Sequence, residues 1–399
     1  MRSWEHFFSK RVVYGNGAIA KLPYLIDQFG ANFVLIVTDQ GIKETGALEK
    51  ITKLLQGNRV SYVTFDDAKP EPNVELALEC YRFAQSQQEV DLVIGLGGGS
   101  SIDLAKVVAL LLSFHGHPSD YFGENLIPGP ITPLIAVPTT AGSGSEVTTV
   151  AVLTDDENVK MSISDHFLRP SVALLDPELT LSLPPYVTAC SGIDALCHAI
   201  EAYTAKSSTE MEIKEGAVFR GANPISDMIA LEAIKLLSNH LTLAVLQGDN
   251  LEGRSKMLLG SMYAGMAFSN AGTAAAHALA YAINTEVERP HGEMTGILLP
   301  YVFRFNAKAI PQDKILKIAE AMGSDKTILN QHIATDVIVK ALFDLLKRIN
   351  LPSKLSAIGV GQSSIPDIAE KSKGIDRLMR NNPRTPSLKS LINLLKKAY

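Results

Sequence analysis

The chain is poor in cysteine and tryptophan, with three Cys (Cys80, Cys190, Cys197) and one Trp in 399 residues. Three is an odd number and no two stand as a CxxC pair, so a disulfide-stapled secreted scaffold is not indicated. Basic runs are missing as well. Lys and Arg number 37 against 42 Asp and Glu, a formal net charge of −5, which leaves no electrostatic footprint for nucleic acid. The most apolar stretch, 107–114, falls far short of the ~20 residues that cross a bilayer. The opening MRSWEHFFSKRVVYG lacks the apolar core of a signal peptide. Together these absences predict a cytoplasmic globular protein with neither a nucleic-acid nor a membrane partner.

What is present alternates in the first half. Apolar runs rich in β-branched residues at 32–39, 59–65, 90–95 and 131–138 predict strands. Helix-period segments at 18–29, 46–55, 74–88 and 102–114 separate them, a rhythm that calls for a parallel sheet covered by helices on both faces. Beyond the paired prolines Pro184 and Pro185 the patterns become long and helical, at 193–203, 224–246, 251–267, 274–282, 334–349 and 387–398. The expected division is therefore an α/β domain over 1–183 and an all-α domain over 184–399.

One strand runs into Gly95-Leu-Gly-Gly-Gly-Ser-Ser-Ile-Asp-Leu-Ala-Lys106. Bare backbone N–H groups at the start of a helix suit an anion such as a pyrophosphate, which larger side chains would hold off. Ser100 or Ser101 can cap that helix, with Asp103 in its first turn. The pattern departs from the usual dinucleotide fingerprint in glycine spacing and in following a later strand. Taken alone it is also compatible with a tight turn that binds nothing. A second small-residue loop, Pro138-Thr-Thr-Ala-Gly-Ser-Gly-Ser-Glu-Val-Thr148, follows the next strand. Two such loops on neighbouring strand ends favour nucleotide binding. Asp39 ends an earlier strand, where an acid can accept from a ribose hydroxyl or simply shape a turn.

Of nine histidines, a few stand in a suggestive pattern. Asp194 and His198 are four apart and share a helix face, where a carboxylate and an imidazole can chelate one divalent ion. His277 sits among small apolar residues, and a buried His needs a partner, of which a metal is one candidate. Arg289-Pro-His291-Gly follows. Imidazoles with one carboxylate would suit Fe(II) or Zn(II).

The segments 97–106, 138–148, Asp176-Pro-Glu-Leu-Thr180, 192–203, Pro290-His-Gly292 and Asp376-Arg-Leu-Met-Arg-Asn-Asn-Pro383 closely resemble the iron-containing (group III) alcohol dehydrogenases, in order and over essentially the whole chain. The resemblance implies an N-terminal Rossmann-like dinucleotide-binding domain and an all-α C-terminal domain, the dehydroquinate synthase-like fold, with the active site in the cleft between them. It implies Fe(II), or another divalent metal such as zinc, on Asp194, His198, His277 and His291. It implies NAD contacts from Gly98, Gly99, Ser100, Asp103, Thr139, Thr140, Ser143 and Lys160, with Asp39 disfavouring the 2′-phosphate of NADP. The implied reaction is hydride transfer between a primary alcohol and its aldehyde.

Three departures qualify the resemblance. Several relatives carry a further His one turn after His277, where this chain has Tyr281, whose phenol can relay a proton or merely pack. Thr149 and Val150 replace an aromatic of some relatives and predict a wider pocket. The stretch 206–222 is longer than in many relatives and resembles the hydroxyacid–oxoacid transhydrogenase branch, so that Arg220 or Lys214 could meet a substrate carboxylate. A hydroxyacid enzyme is accordingly the alternative to the alcohol dehydrogenase. Pairing of the 7–14 segment with a second copy, as in relatives, makes a homodimer the expected assembly.

Overall fold

The computed structural model describes residues 3–155, 159–212, 216–325 and 331–399. The chain forms two compact units. One holds 8–183 with 216–218; the other holds 3–7, 184–212 and the described residues of 219–399.

In the first unit the strands are β1 (Val12–Tyr14), β2 (Phe33–Val37), β3 (Ser61–Phe65), β4 (Leu92–Gly97), β5 (Gly123–Glu124), β6 (Leu134–Pro138), β7 (Val150–Thr154), β8 (Lys160–Ser164) and β9 (Val172–Leu175). Six of them make a parallel sheet in the order β1-β9-β6-β4-β2-β3. A smaller sheet has the order β5-β8-β7. The helices are α1 (Leu22–Gln28), α2 (Gln40–Glu44), α3 (Ala47–Gly57), α4 (Val74–Gln85) and α5 (Gly99–Phe114).

Strand residues of alternate parity face opposite ways. Leu35, Val37 and Val93 join a core with Ala77 of α4 and Leu104 and Val108 of α5. Val34, Ile36, Leu92 and Ile94 join another with Leu25 of α1 and Ile51 and Leu55 of α3. Burial on both faces explains why these strands read as unbroken apolar runs. The chain steps outward from β2 to β3, then returns to β2's other side as β4 and continues to β6. That reversal makes the carboxyl ends of β2 and β4 the switch point at which open parallel sheets take their ligands.

Two motifs of the first unit are structural pins. Asp176 accepts from the backbone N–H of Gly17 (3.1 Å), Ile19 (3.1 Å) and Glu178 (3.1 Å), tying the start of the sheet to its last strand. Lys106 is fully buried, and its ammonium donates to Ser145 Oγ (2.8 Å), Thr148 Oγ1 (3.0 Å) and the Val150 carbonyl (2.7 Å).

The second unit is helical: α6 (Pro185–Thr204), α7 (Pro224–Leu246), α8 (Leu251–Ala271), α9 (Ala275–Asn284), α10 (His291–Asn306), α11 (Gln312–Ala321), α12 (Gln331–Arg348), α13 (Ile365–Gly374), α14 (Asp376–Met379) and α15 (Leu388–Ala398). Asn223 caps α7 by accepting from the N–H groups of Ile225 and Ser226. By length and composition α7 could cross a membrane, which the short stretch 107–114 could not. In the fold, Ala230, Ala233, Ile234, Leu237 and Leu241 of α7 are buried, and the helix packs on α6 and α8. Helix α10 escapes the periodicity reading because Pro300, usually a breaker, lies inside it.

Candidate metal centre and nucleotide site

Helix α6 presents Asp194, His198 and Glu201 along one face, at spacings of one and two turns. His277 lies in the first turn of α9, and His291 opens α10. The approach of α10 depends on Gly292: a Cβ there would stand 2.0 Å from the Cys190 carbonyl oxygen of α6. With no side chain at 292 the helices abut, and His291 comes to rest beside Asp194.

Ligand atoms of Asp194, His277 and His291 all lie within 4.8 Å of one another. Asp194 Oδ1 is 3.7 Å from His277 Nε2. That is too long for a hydrogen bond and suits two donors converging on one ion. His198 stands beside this trio rather than within it, with Nδ1 3.9 Å from Asp194 Oδ2. Its ring is stacked between Phe268 and His277, each with its centroid 4.4 Å away.

Glu201 is the residue that reading the sequence missed. It is buried, its Oε2 lies 2.6 Å from His277 Nδ1, and it accepts from the backbone N–H of Ala274 (2.7 Å) and Ala276 (2.6 Å). The carboxylate thus fixes the first turn of α9 and holds the imidazole proton on Nδ1, turning the Nε2 lone pair toward Asp194. Its position seven residues after Asp194, on the same face, was the available signal. Burial acts to lower the His277 pKa, but the charge and hydrogen bond of Glu201, with Asp194 behind them, raise it overall. At Asp194 burial opposes ionisation, and the three histidines with the Thr295 hydroxyl (2.8 Å) outweigh it and lower the pKa.

The atom that decides whether the donor set suits a divalent metal is His277 Nε2. This atom is buried and has no hydrogen-bond partner among the described residues, although a buried imidazole nitrogen without one is costly. A carboxylate and imidazoles converging on that point are the donors of divalent iron or zinc sites. The residues fit such an ion.

Around the trio, the Tyr281 ring lies 5.2 Å from that of His291, and the Arg377 guanidinium carbon stands 5.6 Å from the Tyr281 centroid. Arg220, one of the two candidates for a substrate carboxylate, pairs through Nη1 with Glu5 Oε2 at 2.7 Å, so it is held by an acid of its own chain. Lys214 lies outside the described residues.

In the first unit, three adjacent strands deliver the predicted nucleotide residues. Asp39 follows β2, Gly97–Gly99 end β4 and begin α5, and Thr139 and Thr140 follow β6. The packing at the glycine turn is close. A Cβ on Gly99 would stand 2.7 Å from Ser143 Oγ, and Gly97 has φ +147° with Ser101 Oγ 2.6 Å from where its Cβ would be. Asp39 caps α2 through Ile42 N–H (3.0 Å) and accepts from Ser101 Oγ (2.9 Å). Thr139 is buried and its Oγ1 has no hydrogen-bond partner among the described residues.

Ser100 and Lys160 meet through Glu71, whose N–H donates to Ser100 Oγ (3.2 Å) and whose carboxylate takes the Lys160 ammonium (2.6 Å). Asp103 serves the fold: it accepts from Ser145 Oγ and from Val152 N–H (3.0 Å). Thr149 is fully buried, and Val150 gives its carbonyl to Lys106.

Residues 9–177 match the family model "Iron-containing alcohol dehydrogenase", and 188–399 match "Fe-containing alcohol dehydrogenase family, C-terminal". The NAD-dependent methanol dehydrogenase of Bacillus methanolicus is 32% identical over 98% of this chain and 99% of its own. The mitochondrial hydroxyacid-oxoacid transhydrogenase of Mus musculus is 32% identical over 95% of this chain and 86% of its own. A crystal structure of 1,3-propanediol oxidoreductase superposes with a TM-score of 0.93 at 32% identity, covering both chains completely. The parallel six-stranded sheet, the helical second unit, the metal-ready cluster and these likenesses converge: the chain belongs to the iron-containing alcohol dehydrogenase family, NAD-dependent enzymes of alcohol oxidoreduction.

Proposed function

We propose that this enzyme interconverts a primary alcohol and its aldehyde with NAD as hydride carrier, at a divalent iron held by Asp194, His198, His277 and His291. The carrying observation is the buried, unpartnered His277 Nε2 set 3.7 Å from Asp194 Oδ1. An ion held there would supply Lewis acidity toward the alcohol oxygen, and NAD on the first unit would supply the hydride acceptor. Zinc suits the same donors.

The remaining duties fall to side chains of the chain itself. Glu201 keeps His277 in one tautomer and orientation. Thr295 holds Asp194 by donating to Oδ1, and Phe268 fixes the His198 ring. Tyr281, one turn beyond His277, carries the hydroxyl proton to solvent. Residues 1–183 bind the nucleotide and 184–399 the metal. Backbone N–H groups at Gly98 and Gly99 with Ser100 cradle the pyrophosphate. Thr139, Thr140, Ser143 and Lys160 contact the rest of the nucleotide, with Asp103 behind them. Asp39 favours NAD, because its charge repels a 2′-phosphate.

The protein acts as a cytoplasmic homodimer without nucleic-acid or membrane partners. Three free, buried cysteines support the compartment. β1 is an edge strand bonded to β9 alone, and the preceding Phe8 is 62% exposed. An open edge beside an exposed aromatic supports pairing with a second copy.

Relatives named for neutral alcohols, at 32–35% identity, and for hydroxyacids, at 31–32%, are similar to this chain to nearly the same degree, so similarity alone does not choose the substrate. The test is NADH absorbance with anaerobic, Fe(II)-loaded protein over a panel from ethanol through butanol and diols to 4-hydroxybutyrate. Metal-dependent NADH formation that disappears in His277→Ala is expected. Silence across the panel with NAD and metal both bound would overturn the reading.

A further inference from the structure

Arg377 is a cation near the ligand cluster that the reaction described above does not use. It belongs to α14, half-buried, with its guanidinium carbon 5.6 Å from the Tyr281 ring centroid. The Tyr281 ring is in turn 5.2 Å from His291, whose ring is 5.4 Å from His277. The guanidinium and the ligand His291 are thus both neighbours of the Tyr281 ring.

The position is built rather than incidental. Asn381 Nδ2 donates both to the Arg377 carbonyl (2.9 Å) and to the Thr273 carbonyl (3.1 Å), which precedes the helix that carries His277. The backbone of Arg377 is thus tied to the element that presents a ligand. Among the described residues no carboxylate pairs with the guanidinium and no acceptor takes a hydrogen bond from it; it has only the aromatic face. Arg220, the cation expected to meet an acidic substrate, is neutralised by Glu5.

An unpaired guanidinium beside a site for a divalent cation adds like charge where charge is already positive, a cost unless an anion arrives with the substrate. Guanidinium is also the group best shaped to hold a carboxylate or other planar oxyanion by two parallel hydrogen bonds. An acidic tail with no such anchor would compete with the hydroxyl for any cation that the Asp194–His277–His291 cluster would hold.

We infer that the substrate is an ω-hydroxy acid or its aldehyde, with an oxyanion tail held by Arg377 while the hydroxyl end reaches the Asp194–His277–His291 cluster. This rests on the alcohol-oxidising reading above and names its substrate class. Carboxylate and sulfonate tails share the chemistry.

The test compares kcat/KM for ω-hydroxycarboxylates of two to five carbons, for 2-hydroxyethanesulfonate, and for neutral alcohols of matched length. It uses the Fe(II)-loaded enzyme and its Arg377→Ala and Arg377→Lys variants. The acid-to-neutral ratio should favour acids in the parent. It should fall roughly 10- to 100-fold in Arg377→Ala, the range of one lost charge-assisted contact. The fall should lie in KM for the acid and be partly restored by Lys.

A binding readout separates this from a general loss of folding. Butyrate should protect the metal-free parent against thermal unfolding more than butanamide does, and that difference should vanish in Arg377→Ala. Carboxylate and sulfonate arms report which oxyanion fits. Turnover of neutral alcohols with no preference for acids, and a ratio unmoved by Arg377→Ala, would overturn this inference and leave the alcohol-oxidising reading standing. No turnover of any alcohol or acid with metal and NAD bound would overturn that reading itself.

Discussion

Glu201 Oε2 lies 2.6 Å from His277 Nδ1, and the same carboxylate takes the N–H groups of Ala274 and Ala276, so three donors are satisfied by two oxygens. Glutamine cannot replace it. An amide offers one oxygen, and its NH2 would face a donor it cannot accept from. Glu201→Gln should weaken divalent-metal affinity about 10- to 100-fold, the usual cost of losing a partner behind a ligating His. Competition against a chelator measures this directly. Affinity equal to the parent's would show that Glu201 serves only the fold of α9.

Gly99 leaves no room for a side chain, since its Cβ would stand 2.7 Å from Ser143 Oγ and 2.8 Å from Ser143 Cβ. Gly99→Ala must push the 138–148 loop away from the start of α5, where the N–H donors stand. NAD dissociation constants from fluorescence titration should rise about tenfold or more, the value of ~1.4 kcal/mol. Metal binding measured on the same sample reports on the other unit and guards against global unfolding. Unaltered NAD affinity would remove the glycine turn from the nucleotide site.

Asp39 carries a cap as well as a charge, so the informative change keeps the first and deletes the second. Asparagine caps helices about as well as aspartate: its one amide oxygen can still accept from Ile42 N–H, and its NH2 can donate to Ser101 Oγ where the second carboxylate oxygen of Asp39 accepts from that hydroxyl. Asp39→Asn should raise the NADP-to-NAD ratio of kcat/KM about fivefold or more, as repulsion of the 2′-phosphate is relieved. A ratio that stays put would assign Asp39 to the cap alone.

Much of the fold was legible because its signals are local. The strands β2, β4 and β6 are apolar runs buried on both faces, β3 is a half-buried run at the sheet's edge, and Asn223 announces α7 as a cap. The short strands β1, at the sheet's edge, and β9 beside it carry too few residues for any period to show, and Asp176 ties their ends together by reaching across to Gly17 and Ile19. Helix α10 was hidden by Pro300. At the site, Asp194 and His198 could be paired by spacing on one helix, whereas His277 and His291 meet them only through helix packing that Gly292 permits. Arg220 illustrates the converse: an arginine near a family motif looks available until the fold supplies Glu5. Only contact across distant segments decides such cases.

The last prediction concerns pH. Glu146 is buried in the loop after β6, and burial pushes its pKa from 4.5 up to about 7, against the pull of a backbone hydrogen bond and of Lys106. A carboxyl with a raised folded-state pKa keeps its proton in the folded chain to higher pH than in the unfolded one. Its contribution to stability is therefore complete below about 4.5, declines as pH rises, and is lost above about 7. Lys106, which burial pulls down to about 8, acts in the opposite sense and only above that pH, so the window is its own. Glu146→Gln has no proton to lose there. Relative to the parent it should gain roughly 3 kcal/mol of unfolding free energy between pH 4.5 and 7.5, by the conversion of ~1.36 kcal/mol per pKa unit. Denaturant unfolding of the metal-free proteins at both pH values measures the difference, and titrating groups that do not interact with Glu146 cancel in the subtraction. Parallel pH dependences for parent and variant would mean that Glu146 stays ionised in the folded loop, with Lys106 as its counter-ion.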